Sequence, residues 1–341
     1  METHSFEIDE MRPDVVNTPD SSDELQDIVK HAYLNEKSVV AWGFGTRQHI
    51  GNKLRSYSSA ISMLNLSQIK SFEPRDLTIT LEAGANLLEI NNMLSDYNLS
   101  TWFLPYLGKT TIGGYLASNY FDPYRQQFGS IRESVIGITF IDGTGTKIKS
   151  GGQVVKNVQG IDIHRVHTGA FGTLGIITEI SLKLAPFNSN QDIIKKADFQ
   201  SGYDSDFAHF KLSKAEEKIL NNGKLLTQMK ANFSKSNLLK FLDNLPNING
   251  NISVGASISH GTVLIEINAS DLQDCEQTIQ SLQNAIYRLN SVPIIERLPL
   301  DLKKKFDVFG KKPSSFSLMQ NLKKQFDPKG ILSPGRFLGG I

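Results

Sequence analysis

Apolar residues recur along this chain at two periods, and the switches between them mark its elements. In TPDSSDELQDIVKHAYLNEKSVVAW, residues 18–42, Leu25, Ile28, Val29 and Ala32 return at helical intervals behind Ser21 and Glu24. That three-residue spacing is that of a capping box, so the pattern predicts a helix ending near Asn35, then a short buried strand from Val39 to Trp42. The order repeats. LTITLEAG, residues 77–84, alternates as a strand, and Asn86 with Glu89 opens a helix carrying Leu87, Leu88, Ile90, Leu94 and Tyr97. VIGITFIDGTGTKIKS, residues 135–150, reads as two strands joined by a glycine-containing hairpin, and IITEISLKL, residues 176–184, as one more strand.

Beyond Pro186 the polar stretch NSNQDIIKKADFQSGYDSD is expected to cross between domains. A strand (225–233), a short helix (236–242), the strand pair NISVGASISHG and TVLIEINA, a helix opened by Ser270 with Gln273 and reaching about Leu289, and the strand VPIIERL follow. Their order, β-α-β-β-α-β, is that of a ferredoxin-like unit. SFSLMQNLKKQFDPKGILSPGRFL, residues 315–338, reads as a helix closed by Asp327-Pro328, with a loop of Gly330, Pro334 and Gly335 after it.

A length of 341 residues is enough for two domains of ordinary size. Thirty-six Lys and Arg against 35 Asp and Glu leave no electrostatic reason to expect nucleic acid as a partner. The single cysteine, Cys275, excludes an intrachain disulfide, a Cys-ligated iron–sulfur cluster and a CxxC zinc site within this polypeptide. No signal-peptide pattern and no run of 18 apolar residues are visible, so the expectation is a soluble cytoplasmic protein.

The chemistry concentrates in three glycine-bearing loops: GFGTRQHIG (43–51), LGKTTIGGYLASN (107–119) and KNVQGIDIHRVHTGAFGTLG (156–175). Glycine lets a backbone approach a bulky ligand with no Cβ in the way. GFGTRQ has Gln48 where a dinucleotide fingerprint needs its third glycine, and no clear helix opens after it, which argues against a Rossmann site. Successive N–H groups in such a loop can still cradle a pyrophosphate. Thr110, Thr111, Ser118 and Asn119 offer hydroxyls and an amide to a polar ring or chain beside the pair Gly113-Gly114.

These loops, with FGSIRESVIGITFIDGTG, IITEISLKLAPF and FDPKGILSPGRF, resemble the FAD-binding PCMH-type (vanillyl-alcohol oxidase) superfamily. The pairing of KNVQGID with GAFGTLG is most similar to the FAD-binding E subunits of bacterial glycolate oxidases. The motifs cover about residues 13–188 and recur at 326–337. The resemblance implies an α+β architecture: a two-lobed FAD domain over 1–188 (lobes about 1–70 and 71–188), a ferredoxin-like cap over 189–312, and a segment 313–341 returning to the FAD domain. It implies that Gly43, Phe44, Gly45, Thr46, Arg47 and Gln48 wrap the FAD pyrophosphate. Thr110, Thr111, Gly113, Gly114, Ser118 and Asn119 would follow the ribityl chain and flavin ring, with Gly172, Gly175 and Ile177 on the opposite side. Lys156, Asn157 and Asp162 match family positions and are expected to brace their loop.

The departures carry expectations too. Family members with covalent FAD use a His in the phosphate loop or a Cys in the second loop. Here only His49 stands near the first, and residues 100–130 hold no Cys, so noncovalent FAD is expected. Related catalytic subunits carry a metal-binding HxGDGNxH segment. SISHG, with His260 alone, is the nearest counterpart, and no metal is expected. His164 and His167 are expected to be structural or solvent-facing, Cys275 a small core residue, and Lys303 to Lys305, Lys311 and Lys312 solvated.

The function implied is that of an FAD-binding subunit of a glycolate or D-2-hydroxy acid dehydrogenase complex. It would pass electrons to FAD-containing catalytic and iron–sulfur partner subunits and reach a membrane only through them. A non-catalytic assembly subunit, or a stand-alone FAD-dependent oxidase or reductase of another alcohol, stays open. Arg125, Arg132, Arg297 and Arg336 are candidates to clamp a substrate carboxylate, and no residue stands out as the catalytic base.

Overall fold

The structure is a computed structural model that describes residues 3–103, 109–119, 129–152, 162–186, 225–246, 251–257 and 261–341. Two compact units emerge: residues 1–49, 54–189 and 313–341 form the first, and 50–53 with 190–312 the second.

The first unit holds a parallel sheet of β1 (Val15–Asn17), β2 (Val39–Trp42) and β3 (Ser59–Ser62), with β3 in the middle. Between β1 and β2 runs the helix Ser22–Leu34, the kind of crossover that parallel strands require. Ser21 caps it by accepting from the Glu24 N–H at 3.1 Å, while the Glu24 carboxylate accepts from the Asp20 N–H instead of closing the box on Ser21. Leu25, Val29 and Ala32 are its buried face.

β4 (Ile69–Glu73), β5 (Thr78–Glu82), β7 (Val135–Ile141), β8 (Lys147–Gly151) and β9 (Ile176–Lys183) form an antiparallel sheet in the order β4-β5-β9-β7-β8. The short β6 (Leu99–Ser100) pairs with β10 (Ala185–Pro186). One hydrophobic core serves both sheets, joining Leu25, Val29, Val39 and Ile61 to Ile79, Leu81, Phe140 and Ile180. Ile331 and Leu332, from the far end of the chain, belong to that same core. Val39 donates to Ile331 and accepts from Ser333, both at 2.9 Å, so the tail lies along β2.

The second unit is an antiparallel sheet of β11 (Leu225–Asn232), β12 (Asn251–Ser257), β13 (Thr262–Ala269) and β14 (Ile294–Arg297), in the order β12-β13-β11-β14. The helix Lys235–Asp243 connects β11 to β12, and Leu272–Arg288 connects β13 to β14. Cys275, Ile279, Leu282 and Ile286 are fully buried on the longer helix, and the Cys275 thiol lies 3.3 Å from the Thr227 hydroxyl. Two expectations need correction. Asp271, not Ser270, caps this helix, its carboxylate accepting from the Asp274 N–H at 2.8 Å. A carboxylate one residue nearer the first turn wins over the hydroxyl. Lys303 is buried, because one turn of helix (Leu300–Lys303) carries it inward while Lys304 and Lys305 remain exposed.

Candidate functional site

The three glycine loops meet in the first unit, each held at the end of a strand or helix. The first leaves β2. A Cβ on Gly43 would lie 2.4 Å from Thr111 Oγ1, so only glycine allows this loop to touch the second. Thr46 Oγ1 donates to the Lys109 carbonyl at 3.2 Å, and Gln48 turns back to Gly45 through its N–H and to Ala41 through its side chain. Among the described residues, the N–H groups of Phe44, Gly45 and Thr46 find no acceptor. Three successive free amides form a nest suited to an anion.

In the second loop, Thr111 caps the helix Ile112–Ser118 by accepting from the Gly114 N–H at 3.1 Å. Ser118 donates to the Gly114 carbonyl, and Asn119 ends the helix in the left-handed conformation. The third loop is stitched to that helix by the N–H groups of Gly169 and Phe171, which donate to Leu116 and Ala117. A Cβ on Gly175 would fall 2.5 Å from Phe140 and 3.0 Å from His167.

Together the loops wall a cleft of about 840 Å³, its open mouth included. Gly43, Phe44, Gly45, Thr46, Arg47 and Gln48 line it, as do Thr110, Thr111, Gly113, Gly114, Ser118, Gly172, Gly175 and Ile177. Asn119 does not; its Oδ1 is buried without a partner below the helix end. Sequence reasoning missed Trp42, Met63 and Ala83, which line the cleft one residue beyond or at the ends of β2, β3 and β5. Strand ends are where open α/β sheets present ligands, a signal that could have found them. Phe171 and Ser333 were missed as well.

Arg336 is buried against the first loop, its Nη2 donating to the Gln48 carbonyl at 2.6 Å. Burial pushes its pKa down to about 10, opposed chiefly by the charge of Asp9. Arg132 is exposed on its short helix, and Arg297 belongs to β14 of the second unit. Arg125, Lys156, Asn157, Gly160 and His260 lie outside the described residues. Asp162 pairs with Arg165 at 3.3 Å within the third loop. His164 and His167 are both buried, not solvent-facing, and burial pushes His167 down to about 3. Among the described residues no group of three His, Cys, Asp or Glu could hold a metal, and no helix is long and apolar enough to cross a membrane.

The lining therefore offers free amides for phosphates, hydroxyls for a polyol chain, bare glycines and apolar walls for a flat ring, and a buried guanidinium. That donor set fits FAD. Residues 13–151 match the family model FAD_binding_4, the FAD binding domain. Over those residues the chain carries an FAD-binding domain.

Relatives match about half of the chain. The glycolate oxidase subunit GlcE of Escherichia coli is 31% identical over 169 residues, covering 49% of this chain and 48% of that protein. The mitochondrial D-lactate dehydrogenase [cytochrome] of Arabidopsis thaliana is 30% identical over 50% of this chain and 30% of its own. The glycolate oxidase subunit GlcD of Bacillus subtilis is 29% identical over 51% and 37%. The chain thus matches half or less of the length of each. An alkyldihydroxyacetonephosphate synthase structure superposes on 95% of this chain with a TM-score of 0.64 at 14% identity, covering 77% of that chain, a likeness of fold alone.

Proposed function

We propose that this chain is the FAD-binding subunit of a 2-hydroxy acid dehydrogenase, holding FAD noncovalently and passing electrons to partner subunits. The convergence of three glycine loops on one cleft carries the reading, and the hydroxy acid oxidoreductases among the relatives of its FAD domain supply the reaction class. Bound FAD supplies an acceptor for the hydride of a carbinol carbon. The chain's residues bind and orient it. The amides of residues 44–46 take the pyrophosphate, Thr110, Thr111 and Ser118 take the polyol, the main chain at Ile177 lies toward the adenine-linked half, and Trp42 and Met63 add apolar walls. No His or Cys lines the cleft among the described residues, which supports noncovalent binding. In this reading the first unit is the two-lobed FAD domain and the second, with its antiparallel order β12-β13-β11-β14, a ferredoxin-like cap.

One observation favours a second reading, an assembly subunit without turnover of its own. Among the described residues no His, Asp, Glu, Lys or Tyr lines the cleft, so no base stands in it. A visible spectrum of the purified chain, before and after glycolate or D-lactate, decides. Flavin bands that bleach on substrate, and colour released into the supernatant by acid precipitation, are expected. Flavin bands that no substrate bleaches, with or without partner subunits, favour the assembly role, and a colourless chain that takes up no FAD overturns the proposed function and leaves only a scaffold.

A further inference from the structure

Arg336 is 3% exposed and lines the cleft beside the loop of residues 43–48. Its Nη2 is committed to the Gln48 carbonyl, and its Nη1 is buried with no hydrogen-bond partner. No carboxylate among the described residues reaches it within ion-pair distance, and none lines the cleft. The neighbouring Tyr57 hydroxyl is itself buried, and burial raises its pKa, so it stays neutral and supplies no counter-charge. Asp9 opposes its charge without forming an ion pair with it, and a buried cation lacking an ion-paired partner is costly unless an anion arrives to meet it. The free amides of Phe44, Gly45 and Thr46 stand in the loop that Gln48 closes. Amide donors and guanidinium thus line the same cleft and are joined through Gln48.

We propose that Arg336 is a phosphate-binding residue, the counter-charge for the diphosphate of the bound dinucleotide, and that its bond to Gln48 fixes the first loop around that group. This rests on the FAD reading above and deepens it, since it assigns the tail residue a role at the phosphates rather than at the substrate. Arginine suits such a position because its fork can hold a carbonyl and a phosphate oxygen at once, which an ammonium does less well.

The test compares wild type with Arg336→Gln and Arg336→Lys, titrating each apo protein with FAD and with riboflavin, which carries no phosphate, and following flavin fluorescence. The expected result is FAD binding weakened about 10- to 100-fold in Arg336→Gln, the size of a lost charge-assisted hydrogen bond, and less in Arg336→Lys, with riboflavin binding unchanged in both. The melting temperature of the apo wild type should also rise with inorganic pyrophosphate, and Arg336→Lys should lose most of that rise. Unchanged FAD affinity, or an equal fall for FAD and riboflavin, overturns the phosphate role while leaving the flavin reading intact. Should Arg336→Gln not fold, a pyrophosphate response equal in wild type and Arg336→Lys overturns it as well. Wild type that binds no FAD overturns the flavin reading and this inference with it.

Discussion

At the scale of single residues, the third loop is set by what has no room. A Cβ built on Gly175 meets Phe140 at 2.5 Å and the His167 ring at 3.0 Å, and both neighbours are buried, so neither can swing away. Gly175→Ala should cost about 1–3 kcal/mol, the usual size of overpacking, and weaken FAD retention, checked by urea unfolding and flavin content. His167 makes a second prediction. Its ring packs 4.1 Å from Phe140 between centroids and its Nε2 has no partner, so the protonated form is excluded until about pH 3. Unfolded, it takes its proton near 6.5. Between those values the unfolded state binds more protons, so this contribution is complete above about pH 6.5 and is lost on acidification through the window. From pH 6.5 to pH 5 the loss is about 2 kcal/mol. In urea titrations His167→Leu should show a pH dependence flatter by that amount, and curves that stay parallel would reject a neutral buried imidazole.

At the scale of elements, most of the pattern was legible, the caps Ser21 and Asn86 included, and one cap was not. Strand Val39–Trp42, helices Ser22–Leu34 and Leu87–Ser95, the hairpin after residue 135 and the helix ending before Asp327 all follow from local periodicity and turn chemistry. Helix Leu272–Arg288 shows the limit: Ser270 and Asp271 are both acceptable caps, and side-chain geometry chooses between them. Asp271→Ala should cost about 1 kcal/mol and Ser270→Ala less than about 0.5 kcal/mol, a contrast that thermal unfolding resolves. Lys323 was invisible for another reason, because an amphipathic helix gives no sign of where a lysine will point. Its ammonium donates to the carbonyls of Thr173 and Leu332 and to Asp327, whose other contacts are the N–H groups of Ile331 and Leu332. One buried charge pair thereby joins the carboxy-terminal helix, the tail and the third loop. Lys323→Met leaves the Asp327 carboxylate buried and uncompensated, which should cost about 3–5 kcal/mol, measured by chemical denaturation. A loss under about 1 kcal/mol would show the pair to be solvated.

For the molecule as a whole, the chain's last residues complete its first unit. The glycine loops were legible because close approach leaves a residue-type mark, and the tail's return was legible through family resemblance. Its landing place was not, since pairing across some 290 residues of sequence leaves no local signature. The tail runs parallel to β2 on the side away from β3, so residues 331–333 cover what would be an open sheet edge. The Arg55 N–H donates to Pro334 at 2.9 Å, and Ser333 and Arg336 enter the cleft directly. A chain ended after Lys312 would lose the edge cover, the Lys323 pair and one wall of the cofactor site together. The four strands of the second sheet all lie between residues 225 and 297 and keep every partner. Hydrogen exchange of the truncated chain should therefore show β2 and β3 unprotected while β11 and β13 remain protected, and the protein should purify without flavin. Retained yellow colour, or protection of Val39 and Val40 at the full-length level, would mean that the first unit is complete without its tail.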